Sequence, residues 1–302
     1  MSDMRRGSRG LQECRRGCAS EAAGGGESTE PRAGRNATLA TLEVGGIEIP
    51  WVRSGVAGAR PPVVLFAGLG WRATGCVQAG YLDESLPVVA LDYPRRWPRR
   101  PLARMEDLAA LYAEALAALG LERARLAGVS MGGMIALRLA LDHPRLVESL
   151  ALVSTAASGS RLGGRWRLGA SRLAAALVPP ERFYQGYRRW GPALVGTSAF
   201  TPAREAARLW TDPMSRRKMG DLLRAIAGHR AGGRLAEVDV PALVVHGTRD
   251  AIVPLAAGEE LARGLSHGRL ARVEGGSHFA FLTHRERVLE ELRDFWNSEE
   301  AA

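Results

Sequence analysis

Three side chains of complementary chemistry stand at comparable places in this 302-residue chain: Ser130 in Gly128-Val129-Ser130-Met131-Gly132, Asp250 in VVHGTRDAIVP and His278 in Gly275-Gly276-Ser277-His278-Phe279. A serine hydroxyl is a poor nucleophile until a base takes its proton and a third group orients that base. Serine, carboxylate and imidazole in this chain order can therefore perform nucleophilic attack on an acyl carbon. Each residue also has a plainer local reading. Ser130 also reads as a helix cap beside packing glycines, and Asp250 as a turn former. What joins them is position, because each follows a strand-like apolar run.

The glycines around Ser130 sharpen its reading. ARLAGV before it has the composition of a strand and Met131 to Asp142 that of a helix, so the serine occupies a sharp strand-to-helix turn. Such a turn forces a strained backbone and leaves no room for side chains two residues away on either side. Of the six histidines, His278 fits the base, since RLARVEG leads into a flexible loop that can aim an imidazole back at the strand ends. The others suit the role less well: His143 ends a helix, His229 lies in an insertion, His246 ends a strand, His267 is in a polar turn and His284 opens the last helix.

The elements that must position these residues alternate along the chain. ATLEV, a Gly-Gly pair and IEIPWV read as a hairpin. PVVLFAG is apolar without interruption, as strands buried on both faces are. PVVALDYP reads as a strand and 105–119 as a helix, with Leu108, Leu111, Tyr112, Leu116 and Leu119 on one stripe. ESLALVS, PALVVHG and RLARVEG supply later strands, 256–264 a helix, and Val288, Leu289, Leu292, Phe295 and Trp296 the face of a last helix. Strict alternation predicts a mainly parallel, doubly wound α/β sheet with helices on both faces. The core is expected over 38–157 and 237–302. Residues 158–236 interrupt it with short helical patterns, expected to form a helical cap over the strand ends where ligands bind in such sheets. Residues 1–37, rich in Gly, Ser, Arg and Glu, are expected to be a disordered tail.

Composition narrows the function classes. A 46% hydrophobic chain of this length can bury one large core. No run reaches the roughly 18 apolar residues of a membrane span, and the basic N-terminus lacks a signal-peptide core, so no membrane span and a cytoplasmic location are expected. Cys14, Cys18 and Cys76 form neither a disulfide framework nor a ligand set for a metal. The net charge of +9 is uneven: residues 161–234 hold fourteen Arg and one Lys against four acids, more than the whole excess. With no aromatic-interleaved basic motif, nucleic acid is not expected as a partner.

At these residues the chain resembles the α/β-hydrolase superfamily, from about residue 40 to the end, with the insertion as its cap. The resemblance implies Ser130 as nucleophile, Asp250 as acid and His278 as base. It also implies an oxyanion hole made by the backbone N–H groups of Leu69 and Met131, Leu69 following the first buried strand in Ala67-Gly68-Leu69-Gly70. Two places depart from the family pattern. Ala67-Gly68 stands where His-Gly is frequent, leaving whatever that histidine braces without it, and RRWPRRP replaces a small glycine-rich turn after ALDYP. LVSTAASG, SRRKMGDLLRAIAG and GSHFAFLTHRE are similar to intracellular medium-chain polyhydroxyalkanoate depolymerases. The implied activity is hydrolysis of a carboxylic ester, thioester or lactone through an acyl-enzyme, with a small acyl substrate, no cofactor and no metal. Acyl transfer with the same three residues and a non-hydrolytic binding protein on the same scaffold are the alternatives, and a homo-oligomer is left open.

Overall fold

The structure, a computed structural model, describes residues 38–55, 61–78, 86–161 and 215–298. Its centre is an eight-stranded sheet. The strands are β1 (Thr38–Val44), β2 (Ile47–Ser54), β3 (Val63–Phe66), β4 (Val88–Leu91), β5 (Ala124–Val129), β6 (Val147–Val153), β7 (Ala242–Gly247) and β8 (Gly268–Val273), in the spatial order β1-β2-β4-β3-β5-β6-β7-β8. The β1–β2 hairpin turns at Gly45 and Gly46 and joins the sheet antiparallel to β4. From β4 onward every pair is parallel. The expected α/β-hydrolase fold class, a mainly parallel sheet between helices, is what forms.

Both faces of the sheet are covered, so strand residues of both parities are apolar. Val64, Phe66, Val89, Leu91, Leu126, Leu150, Leu152 and Val244 share one core cluster with α2 (Met105–Ala118), α3 (Met131–Asp142), α4 (Arg216–Gly228) and α5 (Leu255–Gly264). Val63, Leu65, Val88, Ala90, Ala127, Ala151, Val153, Leu243 and Val245 pack on the other face against α1 (Ala73–Gln78), α6 (Ala280–Thr283) and α7 (Arg285–Ser298). The stripe read in 105–119 is buried as expected for Leu108, Leu111, Tyr112 and Leu116, with Glu106 and Asp107 in the first turn, where they complement the helix dipole. α3 is buried along nearly its whole length, because it lies between the sheet and α2. That explains why its sequence is apolar all round.

The insertion is described at its two ends. Ser158 bridges to Arg230 where the chain leaves and rejoins the core. α4 buries Met219, Leu222, Leu223, Ala225 and Ile226 in the same cluster as α2, and Ser215 caps it through Lys218 N at 3.2 Å. Residues 162–214 lie outside the described residues, as does the tail 1–37, so the expected disorder of one and the capping of the other are expectations about segments not described. Cys76 is buried, and burial with the nearby Asp92 pushes its thiol up to about 12, which leaves it unreactive. Cys14 and Cys18 fall in the tail. No helix among the described residues is long and apolar enough to cross a membrane.

Candidate active site

The turn at Ser130 is made by close approach. A β-carbon on Gly128 would stand 2.3 Å from the Gly132 carbonyl oxygen, and one on Gly132 would stand 2.1 Å from that of Phe66. No side chain fits at either position, so strand β5 passes into α3 without a connecting loop. Ser130 itself sits at φ 52, ψ −117, a conformation costing on the order of 1–3 kcal/mol for a non-glycine residue. The surroundings hold it there. Ser130 N–H donates to the Val153 carbonyl at 2.9 Å, and Thr155 Oγ1 donates to the Ser130 carbonyl at 2.6 Å.

The three side chains singled out in the sequence meet in one line. His278 Nε2 lies 3.0 Å from Ser130 Oγ, and His278 Nδ1 lies 2.8 Å from Asp250 Oδ2. A carboxylate only accepts, so Nδ1 carries the ring proton and the Nε2 lone pair faces the serine hydroxyl. Asp250 is itself held by its own turn, its Oδ1 accepting from Ile252 N–H at 2.9 Å and Val253 N–H at 2.8 Å. Asp250 and His278 are buried, and the low local dielectric strengthens their hydrogen bond. His246, at the end of β7, backs this turn. Its Nε2–H donates to the Val253 carbonyl at 2.8 Å, and burial lowers its pKa, which disfavours a cation beside Asp250.

Of the two backbone donors implied by the resemblance, Met131 follows Ser130 directly and Leu69 follows Gly68, which approaches Ser130. Met131 N–H opens α3 at N1, where a helix has no internal acceptor for its amides, and points its dipole at the serine. Leu69 lies in the tight turn Gly68–Trp71, closed by Trp71 N–H to the Gly68 carbonyl at 3.1 Å, with Gly70 at φ 81. That is the type II geometry, which requires glycine at its third position. The turn lies alongside the nucleophile candidate, since a β-carbon on Gly68 would be 3.3 Å from Ser130 Cβ and 3.9 Å from its Oγ. Trp71 stacks on Phe279, centroids 5.1 Å apart and 14° between planes, joining this turn to the residue after His278.

Several residues of this neighbourhood went unread in the sequence. Thr155 and the pair Asp92-Tyr93 are among them, and so is α1. The Asp92 carboxylate accepts from Thr74 N–H at 3.0 Å, Thr74 Oγ1 at 2.6 Å and Arg72 Nε at 3.1 Å, thereby capping α1 from the end of β4. Burial raises its pKa against those hydrogen bonds. The available signal was two polar residues directly after the buried strand VVAL. The RRWPRRP loop, read as a departure from the family, is tied to α4. Trp97 Nε1 donates to Asp221 Oδ2 at 2.7 Å, and Lys218 Nζ donates to the Pro94 carbonyl at 2.9 Å.

Residues 23–285 match the model of a family described as alpha/beta hydrolase fold. The chain belongs to the α/β-hydrolase fold family. A pimeloyl-[acyl-carrier protein] methyl ester esterase of Neisseria meningitidis is 33% identical over 238 residues, 71% of this chain and 84% of that protein. The polyketide synthase ThaQ of Burkholderia thailandensis is 32% identical over 300 residues, 90% of this chain but 14% of the synthase, so the chain spans only a small part of that relative. A poly(3-hydroxyalkanoate) depolymerase of Ectopseudomonas oleovorans, of the kind whose short segments resembled this sequence, is 27% identical over 82% of this chain and 89% of its own. Among solved structures, the enol-lactonase of Burkholderia xenovorans superposes with a TM-score of 0.72 at 21% identity, covering 85% of this chain and all of that one; at that identity it shares the fold.

Proposed function

We propose that this α/β-hydrolase cleaves a carboxylic ester through an acyl-enzyme on Ser130. The observation that carries the reading is the hydrogen-bonded line from Ser130 through His278 to Asp250, at 3.0 and 2.8 Å. The methyl ester esterase among its relatives supports an ester as the bond broken; a thioester or lactone presents the same carbonyl to the same groups.

In this reading each group has one role. Ser130 Oγ attacks the carbonyl carbon as its proton passes to His278 Nε2, and Asp250 stabilises the imidazolium and keeps Nδ1 protonated. The carbonyl oxygen becomes an anion between the Leu69 and Met131 N–H groups, donors fixed before the reaction and so requiring no reorganisation. Collapse breaks the bond to the leaving oxygen, which takes the proton from His278 Nε2 and departs, leaving an ester on Ser130. Water then attacks that ester as its proton passes to His278 Nε2, and the bond to Ser130 Oγ breaks as Oγ takes that proton back and the free acid leaves. No other group is required for the proton transfers. The insertion 158–236, between β6 and β7, covers these strand ends as a cap in this reading, and a small acyl compound is the substrate.

The test is a panel of p-nitrophenyl esters from acetate to palmitate, followed by acid quench of the best substrate and peptide mass analysis. The expected result is an acyl adduct on the peptide containing Ser130. Turnover with no adduct on any serine, or an adduct elsewhere, contradicts the reading.

A further inference from the structure

The parallel pairing of β3 with β4 ends at Phe66 opposite Leu91, and Ala67 continues beyond it, its carbonyl without a ladder partner among the described residues. A buried carbonyl needs a donor. Here the donor comes from the next strand's continuation: Tyr93 Oη–H donates to the Ala67 carbonyl at 2.9 Å. This is the place where Ala67 stands for the frequent histidine of the family, so the loop is braced from outside rather than by its own side chain. We propose that Tyr93 is a positioning residue for the oxyanion hole, holding the Ala67 carbonyl and through it the Leu69 N–H in line with Ser130. The proposal rests on the serine-hydrolase reading above.

Three successive constraints connect Tyr93 to the donor. The Tyr93 hydroxyl fixes the peptide after Ala67, Trp71 N–H fixes the peptide between Gly68 and Leu69, and Asp92 fixes Arg72 and Thr74. The peptide that offers Leu69 N–H thus lies between two segments, Ala67 and Arg72–Thr74, that are held by Tyr93 and Asp92 of the β4 continuation. That continuation is rigid in turn. Asp92 N–H donates to the Pro50 carbonyl at 2.9 Å, Tyr112 Oη–H donates to the Asp92 carbonyl at 3.2 Å, and Lys218 binds the Pro94 carbonyl while its ammonium stands 5.8 Å from the Tyr93 ring centroid. The hydroxyl is a permanent donor, since burial and the Asp92 charge both raise its pKa. An oxyanion donor acts only where it is placed to within about half an ångström, so loss of one pin loosens transition-state binding without touching the substrate's ground state.

Tyr93→Phe removes the hydroxyl and keeps the packed ring. With p-nitrophenyl butyrate, kcat is expected to fall about tenfold or more, KM to stay within about twofold, and affinity for a trifluoromethyl ketone, which forms the oxyanion on the serine, to fall by the same factor as kcat. Wild-type kcat and ketone affinity in a folded Tyr93→Phe protein, whatever its melting temperature, overturn the positioning role. Thr74→Val, which loosens the far pin on Asp92, is expected to lower kcat and ketone affinity together to a smaller extent and serves if Tyr93→Phe does not fold; stability loss alone in that variant also overturns the role. A wild-type protein that neither hydrolyses the ester nor binds the ketone overturns the serine-hydrolase reading and this role with it, whereas a wild type that does both, matched by Tyr93→Phe, overturns the role alone.

Discussion

The turn that carries Ser130 and the turn that carries Leu69 follow the neighbouring central strands β5 and β3, yet they are held by different means. Around Ser130 the tightest constraint is steric and falls on glycines two residues to either side, since Gly128 and Gly132 admit contacts that any β-carbon would forbid. Around Leu69 it is polar and distant, made by side chains some twenty residues away on the β4 continuation. A steric constraint is written into neighbouring residues and fails with the fold. A hydrogen-bonded one is spread over the chain and can be lost while the fold survives.

Breaking the steric constraint gives the largest effect. Gly132→Ala places a β-carbon against the Phe66 backbone and is expected to destabilise by about 3 kcal/mol or more, giving insoluble or unfolded protein on expression; soluble Gly132→Ala with a wild-type melting temperature would show that the turn has room. The Asp250 turn combines both kinds of constraint, its Oδ1 held locally by two amides and its Oδ2 reaching His278. In Asp250→Asn the amide oxygen can keep the local bonds while the NH2 group faces Nδ1, which pushes the ring proton to Nε2 and blocks acceptance of the serine proton. The expected loss in kcat is about 10⁴-fold at an unchanged fold, and wild-type activity would point to another carboxylate.

That contrast also explains what could be read from the sequence. Ser130, Asp250 and His278 follow strands and stand among glycines, so their neighbours announce them, and the hairpin and the alternating strands and helices were legible for the same reason. Tyr93 and Thr155 work through hydroxyls on backbone carbonyls that come near only after the sheet has formed, and nothing in ALDYP or LVSTAA fixes those partners. α1 went unread because six residues, ATGCVQ, carry no apolar period. Its first turn is stabilised by Asp92 rather than by a cap in its own sequence.

Smaller effects sharpen the comparison. Thr155→Val removes one long-range bond to the Ser130 carbonyl, which still accepts from Gly133 N–H and Met134 N–H at 3.0 and 3.2 Å. A loss of about 1 kcal/mol in stability and a few-fold in kcat is expected from denaturation and steady-state kinetics; a tenfold or larger loss in kcat would mean that the elbow, too, depends on distant hydroxyls.

The junction of the insertion serves as the control. His229 is buried there with neither ring nitrogen hydrogen-bonded among the described residues, and burial, followed by the charges of Arg138 and Arg230 against that of Glu106, pushes its pKa down to about 4. The folded state disfavours the proton that the unfolded chain takes up near pH 6.5. The stability is therefore complete above that pH and is lost as pH falls toward 4, by on the order of 3 kcal/mol. His229→Leu is expected to flatten the melting-temperature profile between pH 6.5 and 4.5 while leaving kcat at neutral pH unchanged; an unaltered profile would assign the acid sensitivity elsewhere.

The central claim is that Ser130 is the nucleophile, and Ser130→Ala tests it most directly. The hydroxyl leaves almost no void, so the melting temperature should match wild type while kcat/KM for the best p-nitrophenyl ester falls by about 10⁶-fold. Ester hydrolysis retained above a few per cent at an unchanged melting temperature would remove Ser130 from the reaction.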